Sequence, residues 1–168
     1  MAAHAHQSVK GEDDPIEGLI GVGEGAGVGD FDAVAEALLD SYETERAPNV
    51  ELMTQGAVQL GRIIRREIPA DIVFENDELI AFRDISPQAP VHILFVPKRG
   101  FATLNDVPAT ESALLGEMMA TATRLAGELG VADSGYRVVM NCNGEGGQSV
   151  YHIHLHLLAG RQLGWPPG

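Results

Sequence analysis

The rhythm of apolar and polar positions changes along the chain, and each change predicts an element. Phe31, Val34, Ala35, Leu38, Leu39 and Tyr42 recur at helical spacing, which predicts an amphipathic helix over about 31–46. Asp30 is placed to cap its start and Pro48 lies just past its end. From about residue 56 the texture becomes that of an α+β domain. "AVQLGRIIRREIP" predicts a short basic helix ended by Pro69, and "IVFEN" and "LIAFRDI" predict two strands joined by a polar turn at Glu75 to Glu78. "VHILFVP" is a third strand. Thr110 to Leu129 predicts a helix stopped by Gly130, with Leu114, Leu115, Met118, Met119, Ala122, Leu125, Ala126 and Leu129 on its inner face. "YRVVMNC" and "YHIHLHLL" read as the last two strands, separated by the glycine turn "NGEGGQS". Most links are too short for crossovers, so the pattern predicts a five-stranded antiparallel sheet with a long helix packed on one face.

Composition and charge refine this picture. A chain of 168 residues, 45 % hydrophobic, suffices for one domain of ordinary size with an appendage. The formal charge of −13 argues against nucleic acid and anionic membranes as partners, because both reward basic surfaces. The excess is local: residues 1–55 hold 12 acidic and 2 basic residues, against 12 and 9 in residues 56–168. The expected division is therefore an acidic N-terminal extension over 1–55 and a folded domain over 56–168. Within the extension, "GLIGVGEGAGVGD" lacks G-x-G-x-x-G, a following Gly-Lys-Ser/Thr and a preceding strand, which makes it a linker rather than a phosphate-binding loop. The single cysteine, Cys142, rules out an intrachain disulfide and a multi-cysteine zinc site. With no long apolar run and no signal-peptide core, the expected setting is the cytoplasm, with the nucleus as the other option.

The candidate chemistry lies in "SVYHIHLHLLAG", where His152, His154 and His156 alternate with Ile153, Leu155 and Leu157. On a strand, alternation puts the three imidazoles on one face and the aliphatics on the other. Desolvating three titratable rings for bulk alone is costly, so packing is a poor explanation. A metal is the serious rival, since H-x-H on a strand supplies two ligands and His92 or Asp84 a third. The preceding turn favours an anion instead: glycine-freed N–H groups, the Ser149 hydroxyl and the amides of Asn141 and Asn143 suit phosphate oxygens. Neutral imidazole beside a phosphate acts as nucleophile or general acid, which points to phosphoryl or nucleotidyl chemistry.

"HIHLHLL" fits the alternating motif of the histidine triad superfamily. With "GRIIRREIPADIVFENDELIAFRDISPQAPVHILFVPK" and "NGEGGQSVYHIHLHLLAGRQLGWPPG" it resembles the HINT branch of that superfamily, the purine nucleoside phosphoramidases, over about residues 58–168. The resemblance implies the HIT fold, an α+β domain that dimerises so that two five-stranded sheets become one continuous ten-stranded sheet. It implies hydrolysis of the P–N bond of adenosine or guanosine monophosphoramidates, with His154 as nucleophile and a nucleotidyl-histidine intermediate. The backbone of His152 would orient that ring. His156, Asn141, Gly147 and Ser149 match positions that hold the phosphate or assist the leaving amine, and His92 matches a further histidine of the proton network. Asp84 matches the carboxylate that receives the ribose hydroxyls, with Ile85 beside it in the nucleotide site. Leu60 falls where an aromatic commonly lines the base pocket, and Trp165 matches a tail that reaches the partner subunit's site. No cofactor and no metal are implied. The rival functions are a purine nucleotide-binding regulatory protein whose N-terminal helix contacts a protein partner, and a dinucleoside polyphosphate hydrolase, against which the terminal "GRQLGWPPG" speaks.

Overall fold

The structure, a computed structural model, describes residues 47–167, with side chains from residue 55 onward. The helix expected over about 31–46 lies outside the described residues. Helix α1 spans Ala47–Ile64. It starts well upstream of the expected short helix and runs across the division expected between residues 55 and 56. Pro48 falls in its first turn, where a backbone N–H is not needed. The helix ends at Ile64 rather than at Pro69, because Arg66 adopts a left-handed conformation (φ 63°) that closes the last turn.

Five strands follow: β1 (Ile72–Glu75), β2 (Leu79–Arg83), β3 (Val91–Pro97), β4 (Tyr136–Val139) and β5 (Leu155–Ala159). Two short 3-10 turns, Leu104–Asp106 and Ala109–Glu111, lead into helix α2 (Ser112–Glu128). The strands form one antiparallel sheet in the order β1-β2-β3-β5-β4. The Asn76 side chain closes the β1–β2 turn by accepting from the N–H groups of Glu78 and Leu79 at 3.0 and 2.7 Å.

Alternation along each strand separates the two faces of the sheet. Leu79, Ala81, Ile93, Phe95, Leu155 and Leu157 face α2, which buries Leu114, Met118, Ala122, Leu125 and Ala126 against them. The stripe differs from expectation at one position: Met119 is exposed and Thr121 is buried in its place. The expectation of a helix on one face only also needs correction. Ile80, Phe82 and Val96 on the opposite face pack against Leu60 of α1, with Ile63, Ile64, Leu94 and Val150 around them. Each such side chain taken from water contributes roughly 1.5–3 kcal/mol. Helix α1 thus covers the β1–β2–β3 end of that face. Toward β5 and β4, the same face carries His92 and His156.

Candidate active site

The β3–β5 register sets Leu94 opposite His156 and His92 opposite Leu158, which makes His92 and His156 diagonal neighbours on one face. Their rings lie 5.1 Å apart, with His92 Nε2 2.8 Å from His156 Nδ1. The His154 ring meets His156 edge-on at 4.9 Å. His152 does not share this face. Strand β5 begins only at Leu155, and the preceding segment is held by Ile153 N–H donating to the Phe101 carbonyl at 2.8 Å. Outside the ladder, strict alternation lapses. His152 turns inward, 2 % exposed, with Nε2 2.9 Å from the Pro97 carbonyl oxygen. The expected trio on one strand face is therefore corrected to His92, His154 and His156, with His152 beneath them.

Backbone groups fix the protonation pattern. The Gln88 N–H lies 3.1 Å from His92 Nδ1; a peptide N–H can only donate, so Nδ1 accepts and Nε2 carries the His92 proton. That proton is donated to His156 Nδ1, which leaves the His156 proton on Nε2. His154 Nδ1 lies 2.7 Å from the His152 carbonyl oxygen, which can only accept, so the lone pair of His154 is on Nε2. Burial is the largest influence on all four rings and holds each below the ordinary imidazole range, with His152 and His156 at about 4. The charge of Asp84 opposes this at His92, His154 and His156, and the His152 carbonyl opposes it at His154. All four are neutral near pH 7.

Asp84 lies just beyond β2, where its Oδ1 accepts from the Ser86 N–H at 2.8 Å and its Oδ2 lies 3.5 Å from His92 Nδ1. It is both a turn-capping residue and a charge at the edge of the histidine cluster. Asp84, His92 and His156 bring possible metal-ligand atoms within 4.8 Å of one another. Both His92 nitrogens are engaged, one by Gln88 and one by His156, so an ion there would have to break the cluster's own hydrogen bonds. The donor set fits proton transfer better than metal binding.

The glycine turn is more ordered than its composition suggests. Gly147 N–H donates to the Gly144 carbonyl and Gln148 N–H to that of Asn143, both at 3.0 Å, so these two donors are taken up inside the turn. The Asn141 amide donates to the Gly147 carbonyl at 3.2 Å, and Gly147 has a positive φ of 78° that favours glycine. Gln148, absent from the sequence-based site, organises the loop. Its buried amide donates to the carbonyls of Ala102 and Val150 at 2.7 and 3.1 Å and accepts from Asn143 N–H at 2.8 Å. Its place between two glycines and a serine gave no compositional hint of this. Ser149 is exposed beside it.

Other expected site residues are distributed around this centre. Leu60 is buried in the α1 contact with Phe82 and Val96, against which Leu94, the register partner of His156, also packs. Ile85 and Trp165 are 99 % and 86 % exposed, so neither packs on its own domain.

A profile of the HIT domain matches residues 65–163. The chain belongs to the histidine triad (HIT) family. Among HIT proteins, the purine nucleoside phosphoramidase of Escherichia coli K12 is 56 % identical over 103 residues, covering 61 % of this chain and 87 % of that protein. A HIT-like protein of Synechococcus elongatus is 56 % identical over 108 residues, covering 64 % and 94 %. The crystal structure of a HIT family hydrolase from Legionella pneumophila superposes with a TM-score of 0.62 at 54 % identity, covering 64 % of this chain and 96 % of that one.

Proposed function

We propose that this HIT protein is a purine nucleoside phosphoramidase. The observation that carries the proposal is the His154 contact: with Nδ1–H donating to the His152 carbonyl, a neutral ring presents its Nε2 lone pair. In the first step that lone pair attacks the phosphorus of an adenosine or guanosine 5'-phosphoramidate. The P–N bond breaks as the P–Nε2 bond forms, and the amine leaves with a proton from the His156 Nε2–H or the Ser149 hydroxyl. The imidazolium produced on His154 is favoured by the His152 carbonyl and the charge of Asp84, the two influences that oppose burial there. Water then cleaves the P–Nε2 bond, its oxygen going to phosphorus and its proton back to the His156 or Ser149 that protonated the amine, which releases the nucleoside monophosphate and the neutral His154 imidazole.

The remaining assignments follow the family pattern. His92 and His156 form the proton relay, and His152 orients His154. Asn141, Gly147 and Ser149 form the phosphate side of the site, while Asp84 takes the ribose hydroxyls and Ile85 and Leu60 the base. A second copy of the chain is proposed to join at β4, an edge strand of the sheet. Arg137 of that strand holds the Gly164 carbonyl, and the exposed Trp165 that follows is proposed to reach the partner's site. The acidic N-terminal segment that precedes α1 is proposed to contact a protein partner. Among the described residues, no helix is long and apolar enough to cross a membrane, and a cytoplasmic setting is proposed.

The test is turnover of an adenosine phosphoramidate carrying a fluorescent amine, with EDTA present. Turnover by the wild-type chain and its loss in His154→Ala are expected. AMP binding without turnover would instead favour the regulatory nucleotide-binding protein, and loss of turnover to EDTA would favour a metal hydrolase.

A further inference from the structure

The tautomer of the His92–His156 pair is set by a peptide group, the Gln88 N–H at 3.1 Å from His92 Nδ1. What holds that peptide is therefore part of the machinery. Gln88 is exposed, in a turn between Pro87 and Pro90. Its carbonyl oxygen accepts from the Arg161 guanidinium at 3.0 Å, and the other arm of the same guanidinium donates to the Gln162 carbonyl at 3.0 Å. Arg161 is brought there by Gly160, whose φ of 87° lets the chain turn sharply at the end of β5. A Cβ at Gly160 would come within 2.9 Å of Pro90 Cβ, so the two segments touch where the arginine crosses.

We propose that Arg161 is a positioning residue for the histidine relay: it clamps the Gln88 peptide, whose N–H holds His92, and through it His156, in one tautomer. The path consists of three hydrogen bonds: Arg161 to the Gln88 carbonyl, the Gln88 N–H to His92 Nδ1, and His92 Nε2–H to His156 Nδ1. The fork of the guanidinium suits this task because it grips two carbonyls at once. The titratable groups facing His92 are Asp84, His154 and His156. If the Gln88 peptide drifts, Nδ1 loses its donor, and the Asp84 carboxylate at 3.5 Å becomes the partner that favours a proton there. His92 then has no obligation to donate from Nε2, and the His156 proton is no longer directed to Nε2.

The inference uses the phosphoramidase proposal only for its kinetic readout. The experiment compares the full-length wild type with Arg161→Met and Arg161→Lys, using long-range proton–nitrogen NMR of labelled histidines alongside turnover of the fluorescent adenosine phosphoramidate. In the wild type, His92 is expected with its proton on Nε2. In Arg161→Met the Nδ1–H form appears, kcat falls about fivefold, the weight of one hydrogen bond, and KM changes little. The acid limb of the kcat profile moves to higher pH, and Arg161→Lys, which keeps a donor but not the fork, restores part of both. An unchanged His92 tautomer in a folded Arg161→Met protein overturns the proposal, whatever the rate does. So does a fall in kcat that tracks melting temperature alone, with an unmoved pH profile. A tautomer that responds in a protein that turns nothing over supports the positioning role while sinking the phosphoramidase proposal.

Discussion

His154 Nδ1 sits 2.7 Å from the carbonyl oxygen of His152, so the residue two places earlier in the chain determines which nitrogen of His154 is free. Replacing His154 with alanine removes that nitrogen and leaves the carbonyl facing a void. Turnover of the phosphoramidate is expected to fall by about a thousandfold or more, and nucleotide binding is expected to survive. Single-turnover kinetics with AMP titration by calorimetry separate the two effects.

The buried histidines make stability depend on pH. His152 and His156 are held at about 4 in the folded protein, below the value near 6.5 of an exposed imidazole. Between those values the unfolded chain binds more protons than the folded one. Stability is therefore full above about pH 6.5 and is lost as pH falls toward 4. His152 alone accounts for about 3 kcal/mol over that window. Urea unfolding at a series of pH values is expected to show this slope, and His152→Gln to flatten it. A wild-type protein equally stable at pH 7 and pH 4.5 would contradict the burial of these rings.

Two helical glycines are expected to respond to alanine with opposite signs. Gly116 in α2 has nothing within 4 Å of an added Cβ, so Gly116→Ala is expected to stabilise by about 0.5–1 kcal/mol through helix propensity alone. At Gly56 in α1, the same Cβ would lie 2.5 Å from Val150 Cγ2. Gly56→Ala is expected to destabilise by about 1–3 kcal/mol despite the same gain in propensity. Adding Val150→Ala makes room and should recover part of the loss, which denaturation midpoints of the four proteins would reveal.

Asp84 supplies the test of sugar recognition. If its carboxylate receives the ribose hydroxyls, the wild type should favour a ribonucleoside phosphoramidate over its 2'-deoxy analogue. Asp84→Ala should raise KM about tenfold, equivalent to about 1.4 kcal/mol, and draw the ratio of kcat/KM for the two substrates toward one. A ratio unmoved by the substitution would leave Asp84 with its turn-capping bond to Ser86 and no role toward the sugar.

Much of this could be read from residue pattern, and the failures share a cause. Alternating and apolar runs located β1 to β3 almost to the residue, because local propensity and burial agree there. The run around the triad misled because "YHIHLHLL" alternates over its whole length although only the part from Leu155 is paired in a ladder. Tertiary bonds to Phe101 and Pro97 decide the rest, and no local pattern encodes them. The pairing of His92 with His156 depends on a register between strands 64 residues apart. The contribution of Gln88 is a backbone N–H, identical in every residue but proline, so side-chain chemistry could not point to it. Gly56 was the missed signal that was visible, a glycine inside an otherwise good helical stretch.

The sheet order β1-β2-β3-β5-β4 has a bearing on synthesis. The last of the described strands to be made, β5, takes an interior place between β3 and β4, so a nascent chain that stops before β5 has no ladder to join those two strands. The same short stretch brings His154 and His156. Closing the sheet and completing the histidine cluster are therefore one event, which waits until β5 has left the ribosome. A product that stops before β5 carries neither the joined sheet nor His154 and His156 together, so topology couples the two.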